Sequence, residues 1–242
     1  MNEQVKHKGE GHRKRLRERF LKDGLSGFQD YEVLELLLTL NTPRKDCKSP
    51  AKELLKQFKT LHGVFEATPL ELSKVNGIGP ANQFGIKFVK EIATRYQENK
   101  ITETDVVSNS NDLINYLNIA IRDRRKECFT AVFLNAKNKV ITTKILFEGS
   151  LTSSSVYPRE VVQEALNNKA ASVIFAHNHP SGEPEPSNED ISITRQLVFA
   201  CRVMGINVHE HLIIGTTGYY SFADHGYILQ FKQEFDKRDL QN

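Results

Sequence analysis

The pattern of apolar and polar positions changes character once along the chain. Over residues 25–100 the apolar residues fall in short runs at helical spacing with no period-2 alternation, which predicts a set of short helices. Asp30 stands as a candidate cap before Leu34, Leu36, Leu37 and Leu38. Ser49-Pro50 and Thr68-Pro69 each set a capping hydroxyl before a proline at the first helical position, opening helices at 51–58 and 70–75. Gly77-Ile78-Gly79-Pro80 breaks the pattern, and a longer helix is expected over 81–97. The polar stretch 101–110 reads as a boundary, followed by one more helix at 111–122. From residue 128 the pattern turns strand-like, with an apolar run at 129–134, a turn at 136–138 and a returning strand at 140–147. A helix at 158–168, a short apolar strand at 171–176, a helix from 187 to about 204, strands at 206–214 and 219–222 and a polar helical tail complete the chain. Strands alternating with helices predict an α/β unit. The chain therefore reads as an α+β protein of two domains, all-α over 1–104 and α/β over 105–242.

Composition bounds what these units can be. The 242 residues suffice to bury cores without disulfides. Cys47, Cys128 and Cys201 lie far apart and form no C-x-x-C pair, which excludes a disulfide scaffold and a cysteine-based zinc finger and fits a reducing cytoplasm. No apolar run approaches the roughly 20 residues that span a bilayer. The first residues lack the apolar core of a secretory signal, so a cytoplasmic protein with no membrane partner is expected. The net charge of +3 hides an asymmetry: residues 1–100 carry 19 Lys and Arg against 13 Asp and Glu, whereas residues 101–242 carry 14 against 17. Opposite signs suggest units with different partners. The basic run at 12–19 is either a solvated helix face or a contact surface.

The stretch that carries chemistry runs from His177 to Asp190, HNHPSGEPEPSNED. His177 and His179, two apart where an apolar strand runs out, present both imidazoles on one side of extended chain. Pro180, Pro184 and Pro186 stiffen the loop that leads to Ser187 and Asp190 at the next helix start. Two histidines and a carboxylate are the protein ligands of an open catalytic zinc site, in which water fills the fourth position. Ser187-x-x-Asp190 is also a plain capping box, and alternate histidines are often structural. The convergence of strand end, stiff loop and acidic helix start favours metal.

This H-x-H-x7-S-x-x-D pattern resembles the JAMM (MPN-plus) metalloprotease motif, and the wider context resembles the RadC family over about residues 10–228. The resembling stretches include 11–17 (GHRKRLR), 30–38 (DYEVLELLL), 43–46 (PRKD), 75–79 (VNGIG), 149–151 (GSL), 158–162 (PREVV) and 177–182 (HNHPSG). The resemblance implies a JAMM, cytidine-deaminase-like domain with a mixed sheet flanked by helices. It implies Zn2+ held by His177, His179 and Asp190, and hydrolysis of a peptide or isopeptide bond in a protein or peptide-conjugate substrate. An upstream glutamate would be the general base, and Glu127 matches best, with Glu148 and Glu160 as competitors. Ser187 would support the oxyanion. The family usually has Asp-His where Glu210-His211 stands, and His209 creates a second H-x-H, read as a strand end lining the pocket or as a second metal site.

Residues 72–81 resemble a helix-hairpin-helix motif, which implies sequence-independent DNA contact through amides near Gly77 and Gly79, with Lys74 and Lys87 adding charge. Pro80 lacks an N–H and removes one donor. The family name is linked with DNA repair, so two rival readings stand beside the hydrolase. One is a metal-dependent DNA nuclease of the His-Asn-His type; the other is a non-catalytic DNA-binding repair accessory.

Overall fold

The computed structural model describes residues 10–43, 45–102, 105, 110–149 and 156–239. Most of the expected boundary at 101–110, together with Arg44, Ser150 and Leu151 of the resembling stretches, lies outside the described residues. The chain divides into two compact units, Met1–Ile92 and Ala93–Asn242.

The first unit contains α1 (Glu10–Asp23), α2 (Asp30–Asn41), α3 (Lys48–Phe58), α4 (Leu61–Glu66), α5 (Pro69–Leu72) and the start of α6 (Pro80–Thr102), within which the division falls. Its core is Leu34 and Leu38 of α2, Ala51 and Leu54 of α3, Val64, Leu72, Val75, Ile78 and Ile86. Among its described residues there is no strand, as the helical spacing predicts. Thr68 caps α5 as expected, with Glu71 completing a capping box around Pro69. Two starts differ from expectation. Gln29, not Asp30, is the cap of α2, because the Glu32 carboxylate reaches back to accept the Gln29 N–H at 3.0 Å. Helix α3 begins before Ser49, because the Asp46 carboxylate accepts the N–H groups of Lys48 and Ser49, both at 3.1 Å. Much of the basic run on α1 is held by the protein itself. Arg13 donates to the carbonyls of Thr42 and Lys45, Arg19 pairs with Glu32, and His12 pairs with the buried Glu35.

The second unit continues with α7 (Ser110–Ala120), β1 (Cys128–Leu134), β2 (Val140–Glu148), α8 (Pro158–Asn167), β3 (Ser172–Asn178), α9 (Asn188–Val203), β4 (Asn207–Ile214), β5 (Tyr219–Ser221) and α10 (Tyr227–Asp239). The sheet order is β2-β1-β3-β4-β5, with β3 and β4 parallel and every other pair antiparallel. A parallel pair needs a crossover, and α9 supplies it. One sheet face packs on α8, α9 and α10 through Val161, Ala165, Ile193, Leu197, Ile228 and Phe231. The other packs on α7 and the end of α6 through Leu113, Leu117 and Ile101. The result is a mixed sheet between helical layers, with β1 and β3 buried along their whole length.

Strand β4 departs from regular alternation at one place. Val173 pairs with Val208, but Ile174 pairs with Glu210, so His209 is an extra residue, a β-bulge. In consequence Val208 and Ile213 lie on the α9 face whereas Leu212 and Ile214 lie on the α7 face. In regular alternation residues four apart, as Val208 and Leu212 are, would share a face.

Candidate metal centre

The candidate site lies where β3 ends and α9 begins. His177, the next-to-last residue of β3, is fully buried on the α9 face beside Phe129. His179 follows on the same side, its ring centroid 5.0 Å from that of His177. The chain then turns through Gly182, whose φ of +93° favours glycine, and where a Cβ would stand 2.4 Å from Thr216 Oγ1. The turn is tied to the end of β4: His179 N–H donates to the Ile214 carbonyl (3.0 Å) and Thr216 N–H to the Gly182 carbonyl (2.8 Å).

The loop delivers Ser187 as the cap of α9. Ser187 Oγ accepts the Asp190 N–H at 3.1 Å, and Asp190 Oδ2 accepts the Ser187 N–H at 2.8 Å and its hydroxyl at 2.6 Å. Capping occupies Oδ2 and leaves Oδ1 turned to His177 Nε2, 3.2 Å away. The capping box and a ligand role for Asp190 are therefore compatible. His179 Nε2 lies 3.4 Å from Asp190 Oδ2 and 3.1 Å from His177 Nε2. A tetrahedral ion with nitrogen and oxygen ligands at about 2.0–2.1 Å holds them about 3.3–3.4 Å apart, close to these spacings.

Hydrogen bonding around the cluster supports the same reading. His179 Nδ1 is 2.9 Å from the Glu183 carbonyl, which can only accept, so Nδ1 carries the hydrogen and Nε2 presents its lone pair inward. An inward lone pair beside a carboxylate calls for a cation between them, a proton or a metal ion. Burial works against charge on Asp190, but the two imidazoles and the Ser187 hydroxyl outweigh it and hold its pKa far below the usual carboxylate value. Burial likewise opposes a charged His179, yet Asp190 and the Glu183 carbonyl outweigh it and raise its pKa. For His177 complete burial wins and the pKa falls. Among the described residues, His177, His179 and Asp190 are the one group of this kind able to converge on an ion.

The other sequence candidates separate clearly. Glu127 lines the same cavity of about 450 Å³ as Arg125, Gly149, His179, Ser187 and Asp190. Glu148 instead faces Arg124 at 3.5 Å, and Glu160 lines a different groove between β2 and α8. The second H-x-H does not converge: His211 is buried among Phe129, Phe175 and Phe222, while His209, on the bulge, accompanies Asn138 Oδ1 at 3.0 Å. In the first unit Gly77 occupies a left-handed turn (φ +86°) just before α6, and Lys74 is exposed. Lys87 is turned inward, donating to the Phe65 carbonyl at 2.9 Å, and is therefore not the outward cation that DNA contact would use.

Two residues with evident work were not singled out from the sequence. Asn178 Oδ1 accepts the Cys128 N–H at 2.8 Å, and Asn178 Nδ2 donates to the carbonyls of Arg124 (3.0 Å) and Lys126 (3.3 Å). One buried amide thus ties the segment carrying Glu127 to the strand carrying His177. Thr194, one helical turn after Asp190, contacts His211.

Comparison with known proteins agrees with this geometry. Residues 107–227 match the RadC-like JAB domain and residues 10–84 the UPF0758 N-terminal domain. A UPF0758 protein of Nitrosospira multiformis is 40% identical over 214 residues, 88% of this chain and 96% of the relative. The chain belongs to the UPF0758 (RadC) family. UPF0758 proteins of Fusobacterium nucleatum (39% over 226 residues, 90% of this chain and 97% of the relative) and of a Janthinobacterium strain (38% over 214 residues, 88% and 96%) are similarly related. In this UPF0758 chain Glu127, His177, His179, Ser187 and Asp190 all fall within the JAB match, a JAMM-type, metal-dependent hydrolase-like domain. Among the described residues no helix is long and apolar enough to cross a membrane.

Proposed function

We propose that this UPF0758 protein is a zinc-dependent hydrolase of amide bonds, peptide or isopeptide, with His177, His179 and Asp190 as zinc ligands. The observation that carries the reading is the convergence of two imidazole Nε2 atoms and a carboxylate within 3.1–3.4 Å of one another, beside a cavity that Glu127 and Ser187 also line. Zinc would supply Lewis acidity that makes water a nucleophile near neutral pH. Glu127 takes the proton of the attacking water and returns it to the leaving amine. Ser187 turns its hydroxyl from Asp190 Oδ2 toward the oxygen that gains charge when the carbonyl is attacked. Arg125 and Lys126, on the same cavity wall, favour a substrate with acidic or carbonyl-rich flanks.

The nuclease alternative would distribute its histidines over a ββα hairpin and helix, whereas His177 and His179 lie on one strand end and its continuation. A purely structural zinc would take four protein ligands, and among the described residues three converge here. The reading is tested by metal analysis of the purified protein beside the His177→Ala, His179→Ala double variant, with turnover of peptide, isopeptide and plasmid DNA measured in parallel. About one zinc per chain that disappears in the variant, with hydrolysis of an amide substrate, is expected. Equal and near-zero metal in both proteins refutes the ligand assignment; metal-dependent cleavage of DNA alone refutes the amide assignment. The same DNA assay, with a salt titration, tests contact through Lys74 and the Gly77–Gly79 turn.

A further inference from the structure

Behind the candidate ligands a row of polar side chains is sealed in the core of the second unit. His177 Nδ1 lies 2.9 Å from His211 Nε2, His211 Nδ1 lies 2.6 Å from Thr194 Oγ1, and Thr194 Oγ1 lies 2.5 Å from the main-chain carbonyl oxygen of Asp190. His177, Thr194 and His211 all have 0% exposure, so water supplies none of them with an alternative partner.

The direction of this chain can be read from its last member. A peptide carbonyl only accepts, so the single hydroxyl proton of Thr194 lies between the two oxygens; at 2.5 Å with no proton between them, lone pair would face lone pair. With its proton so used, Thr194 Oγ1 accepts from His211, and His211 Nδ1 therefore carries hydrogen. A neutral imidazole protonated on Nδ1 has Nε2 as its acceptor. His211 Nε2 accordingly receives the hydrogen of His177 Nδ1, and His177 Nε2 is left with a lone pair facing Asp190 and His179. Both rings are fully buried, where a charge without a full partner is costly, so the chain is built of neutral imidazoles.

The geometry points to His211 and Thr194 as positioning residues that fix the tautomer of His177, so that Nε2 is ready to accept a metal before any ion arrives. The device rests on the zinc reading above and deepens it. Phe222 stacks on the His211 ring with centroids 5.0 Å apart, and Phe129 and Phe175 meet it edge-on, which locks its orientation. The bulge at His209 turns His211 to the face where His177 waits. The chain also closes on itself: the main chain of Asp190 sets the proton pattern whose far end serves the Asp190 side chain.

The test uses the full-length protein and two readouts. In the metal-stripped wild type, nitrogen NMR of the ring atoms should show His177 and His211 as neutral Nδ1–H tautomers. Zinc affinity, measured by chelator competition, should fall about 10–100-fold in Thr194→Val, the range usual for lost outer-shell partners. Thr194→Ser, which keeps the hydroxyl, should restore it. A packing role alone would move neither the tautomer nor the difference between valine and serine. His211→Gln, which can set an amide oxygen near the place of Nε2, should bind zinc more tightly than His211→Leu, with thermal melts confirming that both fold. An Nε2–H tautomer at His211, or wild-type zinc affinity in folded Thr194→Val, overturns the proposal. A wild-type protein that takes up no divalent metal overturns the zinc reading instead, and the NMR tautomers still decide the relay.

Discussion

Replacing Asn178 by alanine is the sharpest test of how the site is assembled. The side chain is fully buried and makes three hydrogen bonds, one accepted from the Cys128 N–H and two donated to the Arg124 and Lys126 carbonyls. A typical intramolecular hydrogen bond contributes about 1 kcal/mol net. The Cys128 bond is buried and the other two are partly buried, where water can replace the lost donor. The expected cost is therefore about 2–3 kcal/mol rather than the larger penalty of three orphaned groups. For a unit of this size each kcal/mol lowers Tm by about 2–4 °C, so a drop of about 4–12 °C is expected by calorimetry. None of the three bonds touches a metal ligand side chain, so zinc content should be unchanged. Glu127, in contrast, loses the tie between its segment and β3, and turnover should fall at least about tenfold, a fraction of the roughly 100–10,000-fold that general acid–base catalysis contributes. Asn178→Asp separates the bonds further. It keeps an acceptor for Cys128 but sets a carboxylate oxygen against two carbonyls, and should be at least as destabilising as alanine. An alanine variant with unchanged Tm, or with lowered Tm but full turnover at full zinc occupancy, would refute the argument that this amide positions Glu127.

The remaining expectations are more compact. Glu127→Gln should retain zinc and lose turnover; undiminished activity moves the base to another carboxylate. Ser187→Ala removes a helix cap worth about 1 kcal/mol, so it should lower stability modestly and keep zinc, since Asp190 Oδ1 is not part of the cap; loss of zinc equal to that of Asp190→Ala would contradict the division of the two oxygens. Gly182→Ala forces a left-handed residue against Thr216 Oγ1 and should destabilise the site loop by about 1–3 kcal/mol, read from urea midpoints. Burial lowers the pKa of His209, so between its folded and unfolded values the unfolded chain binds more protons and stability rises with pH. The stability of the wild type relative to His209→Asn should accordingly be greatest above about pH 6.5, the ordinary histidine value, and decline as pH falls below it; a constant difference between pH 7.5 and 5.5 would show that His209 is not held neutral.

What could be read from the chain depended on how local each signal was. His177, His179, Ser187 and Asp190 lie within fourteen consecutive residues, and strand end, proline loop and helix cap are all short-range features, so their convergence was legible. Thr68-Pro69 likewise opened a helix where expected. At Ser49-Pro50 two capping groups competed, and the carboxylate of Asp46 took the amides one turn earlier. The short α4, capped by Thr60, carried too little periodicity to stand out. Strand β3 continued through His177 and Asn178 because the sheet ladder beside β1 and β4 extends that far, which propensity within 171–176 does not show. Asn178 and His211 act across gaps of about fifty and thirty-four residues, and no local pattern encodes those partners. Thr194 alone left a trace, four residues after Asp190 on one helix face. The inward turn of Lys87 was similarly invisible, because its acceptor is a carbonyl on another helix.

The extra residue in β4 means that part of this site is specified by a count instead of a side chain. A strand assigns its residues to two faces by odd and even position, and His209 switches that assignment midway. Residues before it and after it are read in different frames, much as an inserted letter changes every word that follows. Deleting His209 would merge the two frames into one regular ladder: Val208 would still face Val173, Glu210 would follow opposite Ile174, and His211 would keep its place behind His177. An extra residue between Glu210 and His211 would instead send His211 to the α7 face while leaving every candidate ligand in place. Comparing zinc affinity in that insertion with zinc affinity in the His209 deletion would reveal where the count matters.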